Sequence, residues 1–411
     1  MTAHASAARL IAAFAVIAAC VACAREAGPP VAGTTLETRA PNGKDFKPAF
    51  AGQTRAPALV SSTAPQVSVV ATGLKGAWAF EFLPDGRILV TERAGNLRIV
   101  GKDGKVSAPA TGLPKVFFEG QGGLLDVALD PQFASNQTLY WSYSEPRDDG
   151  NGTALAKGVL SEKDGVPAVS NVQVIFRQLP SWKSNLHFGS RIVFNPDGTL
   201  FLALGERSVP DARVHSQDLS MHLGKIVRLN PDGSVPKDNP FVGRSDVKPE
   251  IWSYGHRNIQ AATLDPDGNL WDIEHGPRGG DELNQPQPGR NYGWPVITYG
   301  IEYAGPKIGE GITQKAGMEQ PVYYWDPVIA PSGMTFYTGE VFPEWKGDLF
   351  VGGLNSMKLV RLKLQDGKVT GEEWLLQDQK ARIRDVKQGP DGAIYVVTES
   401  AEGKLLKLTK G

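Results

Sequence analysis

Short runs of alternating apolar and polar residues, each opened by a tight turn, recur along most of the chain. In Phe82-Leu83-Pro84-Asp85-Gly86-Arg87-Ile88-Leu89-Val90-Thr91-Glu92 a Pro-Asp-Gly turn leads into such a run. The phrase returns with turns at Pro196, Pro266 and Pro390, and in looser form with longer turns at Pro131 and Pro343. Proline presets the turn and glycine supplies positive φ, so each phrase is expected to join two antiparallel strands. A further Pro231-Asp232-Gly233 lacks the apolar run and reads as an outer hairpin within one repeat. Six copies of one unit at irregular intervals predict an all-β, six-bladed β-propeller of four-stranded antiparallel blades, with insertions of different sizes. A β-sandwich with added hairpins is the competing arrangement.

Composition agrees with many short strands. Hydrophobic residues make up 41% of the chain, enough for a core, and glycine (47) and proline (30) are frequent. The 43 basic and 44 acidic residues nearly cancel. Nothing in that balance points to nucleic acid, and a small or neutral ligand fits better. The apolar run Leu10 to Ala19 is too short to span a bilayer and reads as an export signal within residues 1–23. Its Ile17-Ala18-Ala19-Cys20 is similar to a bacterial lipoprotein cleavage box, with Cys20 as the lipidated residue. Ordinary signal-peptidase cleavage and a second site at Val21-Ala22-Cys23 stay open. The expected location is the bacterial periplasm or cell envelope. The chain has no other cysteine, so residues 66–411, the expected propeller domain, need no disulfide and offer no thiolate. Residues 24–65, small, polar and proline-containing, are expected to form a flexible linker.

If the turn joins the two innermost strands of each blade, the residues flanking that strand pair meet at the opposite face. Upstream of the turns these are Trp78, Gln121, His187, Arg257 with Asn258, Ser332, and Arg382 with Arg384. Beyond the second strands they are Glu92 and Arg93, Glu206 and Arg207, Glu274 to Pro277, Leu354 and Asn355, and Glu399. Both sets are expected to ring one mouth of the channel.

A lone histidine is more often structural, but His187 in this ring has Glu206 at the end of its own blade's second strand. A neutral imidazole accepts a proton near neutral pH, and a carboxylate orients it, so the two form a candidate general-base pair. The bland alternative makes Glu206 and Arg207 a surface ion pair. Arg257, Arg382 and Arg384 imply an anionic ligand, unless they staple blades through Asp385, Glu399 and Asp281. Glu274 to Asn284 is the densest polar stretch. A Gly-Pro loop leaves carbonyl oxygens that, with carboxylates, suit calcium, though the stretch matches no helix-loop-helix site. No histidine pair has zinc spacing.

Several of these stretches, taken together, resemble the soluble aldose sugar dehydrogenases, related to soluble quinoprotein glucose dehydrogenase. The resemblance runs from about Val67 to Gly411 and is carried by Gly120 to Leu125, His187 to Arg191, Gly255 to Asn258, His275 to Glu282, Asn291 to Pro295, Ala330 to Gly333 and Arg382 to Asp385. It implies a six-bladed propeller that uses pyrroloquinoline quinone (PQQ) and calcium to oxidise an aldose at its anomeric carbon to a lactone. An electron acceptor the sequence does not identify would then take the electrons. By the same resemblance His187 is the base and Glu206 orients it. Gln121, Arg257, Asn258, Tyr303, Arg382 and Arg384 hold the quinone. Gly276 and Pro277 bind calcium through their carbonyls, and Glu282 and Tyr292 match a second calcium site. Asn355 stands where the family has a cofactor-contacting lysine, with Lys358 three residues on, and His275 replaces a glutamine of the glucose-specific relative. A calcium-dependent lactone or ester hydrolase and a non-enzymatic sugar-binding propeller are the rival readings.

Overall fold

A computed structural model describes residues 32–62 and 64–411. The expected export signal, with Cys20 and Cys23, lies outside the described residues. No helix among them is long and apolar enough to cross a membrane.

The strands form six antiparallel sheets, five of four strands and one of three. The first blade holds Ala77–Phe82, Ile88–Glu92 and Asn96–Val100, its edge continued by a bridge from Val100 to Val106 and by the Ser107 and Ala110 amides on the Ile99 and Leu97 carbonyls. The second holds Leu124–Leu129, Thr138–Arg147, Gly150–Lys163 and Val166–Arg177. Blades three, four and five begin with Gly189–Phe194, Ile259–Leu264 and Pro331–Phe336. The last holds Ile383–Gln388, Ile394–Thr398 and Gly403–Thr409, and its outer strand is Gln66–Leu74 from the other end of the chain. This pairing closes the ring and covers the outer side of Gly403–Thr409. The first strands of successive blades neighbour one another all the way round, which makes them the channel wall.

Four Pro-Asp-Gly turns join first to second strands as expected, with Gly86, Gly198, Gly268 and Gly392 at φ between 77° and 87°. The looser copies at Pro131 and Pro343 join the same strand pair through single helical turns. Pro231-Asp232-Gly233 lies outside, between third and fourth strands. Apolar side chains form six inter-blade clusters, such as Leu89 and Leu97 of blade one against Val127 and Trp141 of blade two. Stability is thus distributed round the ring.

One irregularity repeats in every blade. Each first–second strand ladder slips near its mouth end, between Ala77 and Ala79, Leu124 and Val127, Gly189 and Ile192, Ile259 and Ala261, Pro331 and Met334, and Ile383 and Asp385. The residues passed over include Trp78, Asp126, Arg191, Gln260, Ser332 and Arg384. A bulge bends its strand and re-aims the extra side chain, and here six of them converge on the channel. Arg191 bonds Asp126 at 2.8 Å and Asp385 at 3.3 Å, and its guanidinium lies 4.7 Å from the Trp78 ring. Arg191 thus ties together the first strands of four blades.

The expected linker is corrected by the structure. From residue 32 to 62 the chain is a strap packed on blades four and five. Asn42 and Gly43 donate three hydrogen bonds to Asp326, and Arg55 donates to the carbonyls of Glu37 and Asp326. Gln53 is fully buried, and Ala58 bridges to Glu372. Small residues let the backbone approach the sheet edge, and the polar side chains find partners there, so a linker-like composition is ordered.

Candidate active site

The mouth cavity, about 270 Å³, is lined from all six blades, by Trp78, Gln121, Gly189, His275, Leu354 and Arg384 among others. Both residue sets read from the turns contribute. Arg93, Arg382 and Arg384 line it with Glu399 as their shared carboxylate. Arg382 and Arg384 both reach one oxygen of Glu399, at 3.1 and 2.5 Å, and Arg93 lies 3.6 Å from the other. The stapling alternative is therefore real for Glu399. Asp385 instead serves Arg191, and Asp281 serves backbone amides. Three cations share one carboxylate, and the surplus is positive. Burial raises Glu399, but Arg384 and Arg382 outweigh it and hold it below its ordinary value.

His187 sits beside this cavity. Its ring is almost enclosed (4% exposed), while its neighbours Phe188 and Gly189 and its amide's acceptor Gln121 line the mouth. Nδ1 lies 3.0 Å from Glu206 Oε1, so Nδ1 carries the proton and donates it. No hydrogen bond of the described residues uses Nε2. Glu206 is fixed by the Ser208 amide on its other oxygen and donates its own amide to the Arg257 carbonyl. Burial keeps His187 below its ordinary value; Arg257 and Arg207 push the same way and Glu206 opposes them. Burial acts to raise Glu206, yet His187, Arg257 and the Ser208 amide together hold it low. The pair is a neutral imidazole on an anionic carboxylate.

Backbone strain concentrates here. His187, Ser190, Arg207, Ser208 and Ala330 all have positive φ, at 48°, 115°, 76°, 70° and 52°. Such residues each cost about 1–3 kcal/mol and gather where a site is held in a set geometry. Gly205 shows why: a Cβ there would fall 2.1 Å from the His187 carbonyl oxygen. Only glycine lets the two segments close and set Glu206 against the imidazole.

The other expected residues divide. Arg257 donates to the His275 carbonyl at 2.8 Å, but its Nε is buried without a partner, and so is Asn258 Nδ2. His275 donates Nε2–H to the Pro331 carbonyl at 2.6 Å. Burial first, then Arg257, Arg384 and His187, push it down to about 3, so it is neutral and Nδ1 is an acceptor. Tyr303 stands 70% exposed in a hairpin beyond the cavity and does not line it. Asn355 is also off the lining, and its backbone N–H donates to the Ile329 carbonyl. Lys358 does not replace it: its ammonium lies 3.1 Å from the Trp374 ring, near Glu37 and Glu372 on the outer side of blade five.

Beneath the mouth floor a void of about 10 Å³, room for a single ion or water, is lined by Gly276, Pro277, Glu274 and Glu282. The carbonyls of Gly276 and Pro277 accept no hydrogen bond from the described residues. Burial, then Glu274, Asp272 and Asp281, raise Glu282 far above its ordinary value, as a carboxylate group short of positive charge would. Tyr292 does not reach the void: its hydroxyl donates to the Gln285 carbonyl and its ring stacks on His256, 4.9 Å between centroids. Asp281, which the sequence offered only as a staple for an arginine, has a different role. It accepts the amides of Gly276, Ile329 and Ala330, each at 2.8 Å, and so clamps the carbonyl loop to blade five. Its place five residues after Gly276, in the polar stretch, was the available signal. Gln260 was missed, though it lines the mouth two residues after Asn258 and accepts from Arg384 at 3.2 Å.

A family model described as glucose/sorbosone dehydrogenase matches residues 74–407. The chain belongs to that family of oxidoreductases. It is 46% identical over 358 residues to aldose sugar dehydrogenase YliI of Escherichia coli (strain K12), covering 86% of this chain and 94% of that protein. It is similar to the apo form of the soluble aldose sugar dehydrogenase from Escherichia coli, with TM-score 0.81 and 46% identity over 84% of this chain and 100% of that one. It is also similar to the PQQ-bound form of aldose sugar dehydrogenase from Streptomyces coelicolor, with TM-score 0.67 and 28% identity over 85% of this chain and 100% of that one.

Proposed function

We propose that this chain is an aldose sugar dehydrogenase that binds PQQ and calcium and oxidises the anomeric carbon of an aldose to a lactone. The observation that carries the reading is the neutral His187–Glu206 pair beside a mouth where three guanidinium groups share one carboxylate. The donor set fits a quinone bearing carboxylates. Arg257 Nε and Asn258 Nδ2 are buried donors without partners, and Arg93, Arg382 and Arg384 supply the surplus charge. The floor fits calcium, with two free carbonyls and two carboxylates around a space of ionic size.

PQQ, when bound, supplies the two-electron acceptor for the hydride leaving the sugar's C1. His187 takes the proton of the anomeric hydroxyl at Nε2, and Glu206 stabilises the imidazolium so formed. Gln121, Arg382 and Arg384 orient the cofactor's polar edge, and the carbonyls of Gly276 and Pro277 with Glu282 hold the cation. Asn355 and Tyr303 are left out of this set because neither lines the mouth, and Tyr292, expected with Glu282 at a second calcium site, does not line the floor void. On this reading residues 1–23 export the chain to the periplasm, with Cys20 as its lipid anchor where the lipoprotein box is used. The electrons go to an acceptor there.

Protein given PQQ and calcium is expected to reduce an artificial dye when supplied with aldoses. In the same assay His187→Ala retains the bound quinone's absorbance but loses roughly 100- to 10,000-fold in turnover. Lactone hydrolysis without dye reduction across a panel of mono- and disaccharides overturns the proposal in favour of a hydrolase.

A further inference from the structure

The loop from Phe117 to Gly122 carries two adjacent aromatic rings with opposite fates. Phe117 turns inward and packs near Phe188, 6.5 Å between centroids, while Phe118 turns outward and is 58% exposed. The exposed ring belongs to no other cluster, and it stands next to Gly120 and Gln121, which line the mouth. The loop that bears it is braced. The Arg93 guanidinium lies 5.6 Å from the ring's centroid, and that same guanidinium is bonded to the carbonyls of Gly120 and Gly122. Gln121 N donates to the Asn185 carbonyl at 2.8 Å, Asn185 Nδ2 to Glu119 at 3.1 Å, and His187 N to Gln121 Oε1 at 2.9 Å. The loop that bears the ring is therefore tied through short bonds to the loop that carries the proposed base.

A cavity of about 270 Å³ is at the small end for ligand pockets, so a planar tricyclic quinone leaves no room for a sugar beside it. On the function proposed above, on which this inference rests, the sugar must lie at the rim. The Trp78 and Phe188 rings that line the mouth are buried in its wall, whereas a pyranose lying at the rim has an apolar face of C–H groups that prefers an exposed aromatic surface. We infer that Phe118 is the stacking platform for the aldose ring, a specificity-determining contact that holds the sugar over the mouth next to His187.

Steady-state kinetics of Phe118→Ala on the PQQ- and calcium-loaded protein test this. KM for pyranose aldoses is expected to rise about three- to tenfold, with kcat changed less than about twofold, and Phe118→Trp to restore the wild-type KM. The melting temperature should stay unchanged, since the ring is exposed. An unchanged KM, or a fall in kcat alone, overturns the platform. If the wild-type protein oxidises no aldose, the function proposed above fails separately, and saturation-transfer NMR with glucose and maltose decides the platform by itself. Sugar signals that weaken in Phe118→Ala support it; equal signals, or none with either protein, overturn it.

Discussion

At His187 two opposing influences set the chemistry. Burial favours the neutral imidazole, and the Glu206 carboxylate 3.0 Å away favours the charged one. Burial wins, so the ring waits unprotonated and takes up charge only when a proton is delivered to Nε2. Removing the carboxylate removes the one influence that raises the imidazole. In Glu206→Gln the acid limb of kcat/KM should therefore move to lower pH, while the rate at pH 7 falls by roughly 10- to 100-fold because the imidazolium is no longer stabilised. A pH profile of kcat/KM for both proteins checks this, and an acid limb that stays in place would show that Glu206 does not act on the base. The pair was legible in the sequence because its members flank the two strands that one turn joins. Which arginines would be free was not legible, since Glu399 lies beside Arg382 and Arg384 only after the second strand of their own blade folds back.

At the scale of elements, the local signals were the reliable ones. Pro-Asp-Gly turns are short-range chemistry, and all four join the strands they were expected to join. The six bulges were not readable, because a ladder slip leaves no mark in an alternating pattern, yet they aim Trp78, Gln260 and Arg384 into the mouth. The pairing of Gln66–Leu74 with Gly403–Thr409 was hidden for a different reason: it joins opposite ends of the chain. Asp281 acts between elements. Its two oxygens take three amides, one from the carbonyl loop and two from the start of blade five. Asp281→Ala strands three buried donors and should cost about 2–3 kcal/mol in denaturant unfolding. Calcium affinity should fall with it, because the Gly276-Pro277 loop loses its anchor. A variant with wild-type stability and wild-type calcium titration would assign the loop's geometry to something other than this clamp.

The whole molecule is a closed ring with a strap, and the strap is where composition misled. Residues rich in alanine, glycine and proline look like a tether, but the same residues allow close backbone approach, and Ala58 and Leu59 use it to bond the edge strand of blade five at Glu372. Further along the strap, Asn42 joins two places at once. Its amides go to Asp326, and its Oδ1 accepts from Arg278 Nε at 3.0 Å, one residue beyond Pro277. The strap thus braces the outside of the loop that Asp281 clamps from within. Deleting residues 32–62 removes the three amide donors that Asp326 accepts from and the Ala56 amide that Tyr323 Oη accepts at 2.9 Å. It also uncovers surface that the strap shields, and each lost hydrogen bond costs about 0.5–1.5 kcal/mol. The truncated protein should therefore melt about 5 °C or more below the full chain and bind calcium more weakly, with the propeller's strand signature in circular dichroism retained. Equal melting temperatures would mean that the strap rests on the ring without holding it. A lower melting temperature with unchanged calcium binding would confine its role to blades four and five and leave the carbonyl loop to Asp281 alone.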